Sequence, residues 1–89
     1  MKLREIYLET SPGHIAFVKF IFESYEEVGI IRTIDRKKAI IVLLAMEDFL
    51  DTAQNILETI KSDVPLREIA RPSDVGDDWL MMELAAESS

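Results

Sequence analysis

Between Thr10 and Ile34 the chain reads Thr-Ser-Pro-Gly-His-Ile-Ala-Phe-Val-Lys-Phe-Ile-Phe-Glu-Ser-Tyr-Glu-Glu-Val-Gly-Ile-Ile-Arg-Thr-Ile, the stretch that most narrows the fold. Ser11-Pro12-Gly13 is turn chemistry, because proline presets φ and glycine tolerates φ > 0. Ser11 stands where an N-cap belongs and Pro12 at the favoured first helical position. Ile15, Val18, Phe22 and Tyr25 then recur at helical spacing, and Phe17, Ile21 and Val28 widen the apolar face. Lys19, Glu23, Glu26 and Glu27 mark the wet side, and Phe20 is the apolar residue that falls outside the stripe. The spacing predicts a helix from Pro12–His14 to Tyr25. Val28–Ile34 is β-branched and predicts a strand.

The flanking segments complete a pattern. Residues 3–10 alternate, with Ile6, Leu8 and Thr10 on one face and Glu5, Tyr7 and Glu9 on the other. Asp35-Arg36-Lys37-Lys38 is a short polar turn. Ala39–Ala45 is a continuous apolar run, too short for a typical helix, and reads as a central strand. Residues 47–62 place Phe49, Leu50, Ala53, Ile56, Leu57 and Ile60 at three- and four-residue steps, with acidic residues first and Lys61 last, as a helix dipole favours. Val64–Arg71 is a candidate edge strand because Pro65 cannot donate to a ladder; Leu66–Ala70 also suits the start of a helical turn.

The order is β-α-β-β-α-β. It predicts an α+β, ferredoxin-like sandwich: a four-stranded antiparallel sheet of order 4-1-3-2 with two helices on one face. The domain is expected over residues 1–71, with an acidic linker and an apolar C-terminal segment over 72–89. Trp79, Leu80, Met82 and Leu84 in that segment do not suit water, so they predict packing on the chain's own sheet or on a partner.

Composition narrows the function classes. With 89 residues the chain holds one small domain, which buries only about 60–65% of its unfolded surface. That small core, and edge strands two and four in need of cover, lead to an expected homodimer. There is no cysteine, which removes disulfides and thiolate sites and fits a reducing compartment. Charges interrupt the N-terminus before any signal-like apolar region, and Ala39–Met46 is far too short to span a membrane. A soluble, cytoplasmic protein is expected. The net charge of −7, and a central strand without aromatics, argue against nucleic acid. Arg32, Arg36, Lys37 and Lys38 read as a solvated hairpin tip.

Little in the chain announces chemistry. His14 is the single histidine and stands beside Gly13 at a helix start, where backbone N–H groups favour an anion. A polar residue in the first helical turn is the favoured explanation of it. The carboxylates of the predicted helices have no partner base or nucleophile in sequence, and no phosphate-loop pattern occurs. No catalytic residue, metal site or cofactor is expected.

Ser11-Pro12-Gly13-His14-Ile15-Ala16-Phe17-Val18, with Ile21-Phe22-Glu23 and Val28-Gly29-Ile30-Ile31, resembles the start of an ACT domain, a small βαββαβ module that binds amino acids and regulates metabolic enzymes. The likeness covers about residues 3–70. The chain is also similar to short, stand-alone, uncharacterised bacterial proteins of ACT-like layout. The resemblance implies a regulatory or amino-acid-binding module whose ligand meets Ser11, Gly13, His14 and Ile15, with Gly29, Ile30 and Ile31 facing it from a neighbouring subunit. The alternative is an interaction or assembly module without a small ligand, using Trp79, Leu80, Met82 and Leu84 on a protein partner. An enzyme is the least supported reading.

Overall fold

The computed structural model describes residues 2–72. Its elements run β1 (Leu3–Glu9), α1 (Ile15–Glu23), β2 (Gly29–Asp35), β3 (Ile40–Met46), α2 (Leu50–Lys61) and β4 (Arg67–Ile69), with single 3-10 turns at Pro12–His14 and Glu47–Phe49 leading into the two helices. The strands form one antiparallel sheet of order β2-β3-β1-β4, the predicted 4-1-3-2 arrangement. The C-terminal segment, with Trp79, Leu80, Met82 and Leu84, lies outside the described residues, as does the test of a domain boundary at 71/72.

Alternation along the strands sorts the apolar residues. Ile6 and Leu8 of β1, Ile31 of β2, and Ile41, Leu43 and Ala45 of β3 point to one face. There they meet Ile15, Val18 and Phe22 of α1 and Ala53, Leu57 and Ile60 of α2, so both helices share that face. Tyr7, Val42 and Leu44 point to the other, edged by Ile30, Ile34 and Ile69. Each fully buried Leu or Phe here stabilises the fold by about 1.5–3 kcal/mol relative to exposure.

The helices are shorter than periodicity suggests. α1 stops at Glu23, and the backbone then tightens: Ser24 N–H donates to Ile21 O, Tyr25 N–H to Phe22 O and Val28 N–H to Tyr25 O. This turn removes Tyr25 from the apolar stripe and leaves it exposed. Phe49, expected on the second helix's stripe, sits in the preceding 3-10 turn and is exposed too. Phe17, expected on the apolar face, is exposed because it falls outside the part of α1 that packs on the sheet, and Phe20 is 65% exposed, as its phase predicts. β4 shrinks from the expected Val64–Arg71 to three residues, because Val64 remains tied to Ile60 by a backbone bond and Pro65 has no N–H. The short strand pairs with β1 over Tyr7–Glu9, and the Thr10 hydroxyl donating to the Pro65 carbonyl and the ion pairs Arg67–Glu9 and Arg71–Glu5 reinforce it.

The hairpin between β2 and β3 carries a register shift between Thr33 and Asp35. The Asp35 carboxylate accepts the Lys38 N–H at 3.0 Å, and Ala39 adopts φ 57°, the left-handed region, before the chain enters β3. Gly29 is required for another reason. A Cβ there would stand 2.7 Å from the Leu44 carbonyl oxygen and 3.0 Å from the Ala45 Cα, both backbone atoms of β3. Gly13 has no positive φ and nothing within 4 Å of the same position. Gly29→Ala is therefore expected to destabilise by about 1–3 kcal/mol through overpacking, whereas Gly13→Ala changes stability by less than about 1 kcal/mol. Urea denaturation of both variants checks this, and equal effects would contradict it. Leu57→Ala, at a site with no exposed surface, should lose about 2–5 kcal/mol in the same assay.

Candidate functional site

β2 is an outer strand, and α1 lies alongside it. The strip between them holds two shallow cavities. One, of about 350 Å³, is lined by Lys19, Phe22, Glu23 and Glu26 from the helix side and by Gly29, Ile30, Ile31 and Arg32 from the strand. The other, of about 330 Å³, is lined by Pro12, Ile15, Ala16 and Lys19 opposite Thr33 and Arg36. Lys19 borders both. Lys19 and Glu23 are four residues apart on α1, so they share its wet side, and the turn after the helix brings Glu26 beside them. The strip carries cationic groups at Lys19 and Arg36 and anionic groups at Glu23 and Glu26, a charge pair suited to a small zwitterion. The Arg32 guanidinium also donates to the Ile31 carbonyl at 2.9 Å.

The loop before α1 is locally locked. Ser11 has the extended backbone of an N-cap, φ −110° and ψ 152°, and its carbonyl accepts the His14 N–H at 2.9 Å. Its side chain makes no cap bond to the backbone. The Ser11 hydroxyl and His14 Nδ1 are hydrogen-bonded to each other instead. The sequence places both in one candidate loop without pairing their side chains; the 3-10 turn Pro12–His14 brings those side chains into contact. A hydroxyl–imidazole contact resembles part of a nucleophilic site, but acyl chemistry also needs a group that orients the imidazole. The hydrogen bonds of the described residues include no carboxylate on His14.

The predicted site residues divide. Ile15 and Ile31 belong to the core, and their side chains pack inward. Gly29 backs onto β3, and Ile30 turns to the opposite face of the sheet. Gly29, Ile30 and Ile31 nonetheless border the first cavity through the strand's edge, and Ile15 borders the second. Ser11, Gly13 and His14 line neither, although Pro12 does. Sequence reading missed Lys19, Glu23, Glu26, Thr33 and Arg36, assigning the charges among them to solvent. The i, i+4 spacing of Lys19 and Glu23 was visible, but only the edge position of β2 turns that wet side, and the turn that carries Glu26, into a groove wall.

Among the described residues no group of three or more His, Cys, Asp or Glu could hold a metal ion, and no helix is long and apolar enough to cross a membrane. The model of one family, Domain of unknown function (DUF4911), matches residues 8–64, well over half of the chain. The chain belongs to the DUF4911 family. The matched span runs from β1 to the end of the turn after α2, so it contains both walls of the groove and the Ser11–His14 lock. Comparison of this DUF4911 chain with curated proteins and with solved structures finds no match.

The Ser11–His14 lock is measurable. Ser11→Ala and His14→Ala should each lower stability by about 0.5–1.5 kcal/mol, the net worth of a part-buried hydrogen bond. The double variant should lose no more than the larger single loss. Additive losses in a double-mutant cycle would show that the two side chains act independently.

Proposed function

We propose that this DUF4911 chain is a non-catalytic binding module for a small zwitterion of amino-acid size, built on an ACT-like plan and working as a homodimer. The observation that carries the reading is the groove between α1 and the outer strand β2, where Lys19 stands between the carboxylates Glu23 and Glu26 on one side and Arg36 on the other. A ligand carboxylate would lie against Lys19 and Arg36, and its ammonium against Glu23 and Glu26. The cavity volumes lie at the lower end of the range for small-molecule sites. The resemblance of residues 3–70 to ACT domains supports the same region and implies a subunit interface beside it. An outer strand with unpaired backbone groups is a ready surface for that pairing.

A thermal-shift screen against the common amino acids tests the proposal. One of them should raise Tm by several degrees in a saturable way, and Lys19→Ala should abolish the shift while leaving the unliganded Tm within a few degrees. Absence of a shift with every amino acid would refute the ligand class. Light scattering at micromolar concentration should give twice the chain mass; a monomer would refute the dimer.

A second reading, an interaction module without a small ligand, draws on a different feature. Phe17, Ile21, Tyr25 and Ile56 line an apolar groove of about 270 Å³ between the outer sides of α1 and α2, with Phe20 exposed nearby. Under that reading Phe17→Lys with Phe20→Lys would abolish self-association and leave amino acids without effect on Tm.

A further inference from the structure

The two cavities between α1 and β2 lie end to end. Residues 24–28 turn the chain back after the helix, so Ile15 and Ala16 stand across from Thr33 and Arg36, and Phe22 and Glu23 across from Gly29 and Ile31. Lys19 lies between and borders both. Charge is sorted along this line. Glu23 and Glu26 border the first cavity only, and Arg36 with Thr33 the second only. Arg32 also borders the first, where its guanidinium already donates to the Ile31 carbonyl. Among the described residues the side chains of Lys19, Glu23, Glu26, Thr33 and Arg36 make no hydrogen bond or ion pair. Lys19 and Glu23 stay apart although they are one turn from each other; lysine before glutamate is the weaker order for such a pair on a helix.

The separation of the charged ends sets the length of a ligand that uses both. Ala16 to Glu23 covers about 10 Å of helix, and Gly29 to Thr33 about 13 Å of strand. An α-amino acid holds its ammonium and carboxylate about two bonds apart. With a hydrogen bond of about 3 Å at each end it bridges only about 8 Å. That is enough for Lys19 and Glu23, and it leaves Arg36 and Thr33 unused. A stem of about four or five methylene groups puts the two charges about 6–8 Å apart, and the same hydrogen bonds then bridge about 12–14 Å. Apolar residues border the groove along the way: Phe22 and Ile31 in the first cavity, Ile15 and Ala16 in the second.

Resting on the binding-module reading above, we propose that the groove selects a zwitterion whose charges stand at opposite ends of an apolar stem, an ω-amino carboxylate. Its carboxylate lies against Arg36, Lys19 and the Thr33 hydroxyl, and its terminal ammonium against Glu23 and Glu26. Among the common amino acids lysine meets this requirement, because its ammonium ends a four-carbon stem. A compact α-amino acid engages one cavity and leaves the other to water.

Calorimetric titration of the full-length protein tests this with 6-aminohexanoic acid and L-lysine as probes, and with L-alanine, hexanoic acid and hexylamine as controls. 6-Aminohexanoic acid should bind at least about tenfold more tightly than any control, since each control lacks one charge or the stem. Arg36→Ala and Glu23→Gln should each weaken it by about tenfold or more and leave the weak binding of alanine within about twofold for Arg36→Ala. Both side chains are exposed, so both variants should fold. Alanine binding as tightly as 6-aminohexanoic acid would overturn the two-ended ligand while leaving the binding-module reading intact. Hexanoic acid or hexylamine binding as tightly would overturn it as well, because one charged end would then contribute nothing. No binding by any probe, together with no shift of Tm by any common amino acid, would remove both.

Discussion

The pairing of β3 with a neighbour on each side holds this molecule together. Ile41, Leu43 and Ala45 point into the helix-covered core, and Val42 and Leu44 point the opposite way, so the strand is apolar on both faces. β1 and β2 satisfy its backbone over its whole length, from Leu3↔Met46 to Glu9↔Ile40 and from Gly29↔Ala45 to Asp35↔Ile40. A slip of one residue along the neighbouring β1 would exchange Ile6 and Leu8 for Glu5 and Tyr7 in the core, which the burial of a carboxylate forbids. The register is therefore fixed by β1, whose faces differ, and not by β3, whose faces are alike.

From that register the candidate site follows. Once β3 and β1 take the centre, β2 is an outer strand, and α1 packs over its inner face. The wet side of α1 then overlooks an open strand edge. Lys19, Glu23 and Glu26 become one wall of a groove because Val18 and Phe22 on the same helix must be buried. Gly29 allows the start of β2 to approach the β3 backbone closely enough for the wall to form, since a methyl group would collide with the Leu44 carbonyl.

The architecture was largely visible in the chain. Alternation assigned Ile6 and Leu8 to one face and Tyr7 to the other, and the helical stripe Ile15–Val18–Phe22 was read correctly, because these signals are local and repeat with the period of the element. The ends of elements were not visible. Tyr25 continues the helical period but follows Glu23, where the backbone tightens into a turn, and periodicity does not register that change. Phe49 misled for the same reason at the start of α2. The left-handed Ala39 and the register shift near Ile34 carry no residue signal, since neither position holds the glycine or asparagine that such backbone usually selects.

By itself the sequence determined the order of elements, the two-faced sheet and the loop at Ser11–His14, all of which depend on patterns a few residues long. Tertiary structure alone decided that Ser11 and His14 share a hydrogen bond, that Ile15 and Ile31 serve the core, and that charges from a helix and a strand edge line one groove. Each of these joins residues whose roles depend on what lies across from them. A charged side chain in sequence is simply solvated; whether it also faces a neighbour is set by which strand the packing of β3 leaves at the edge.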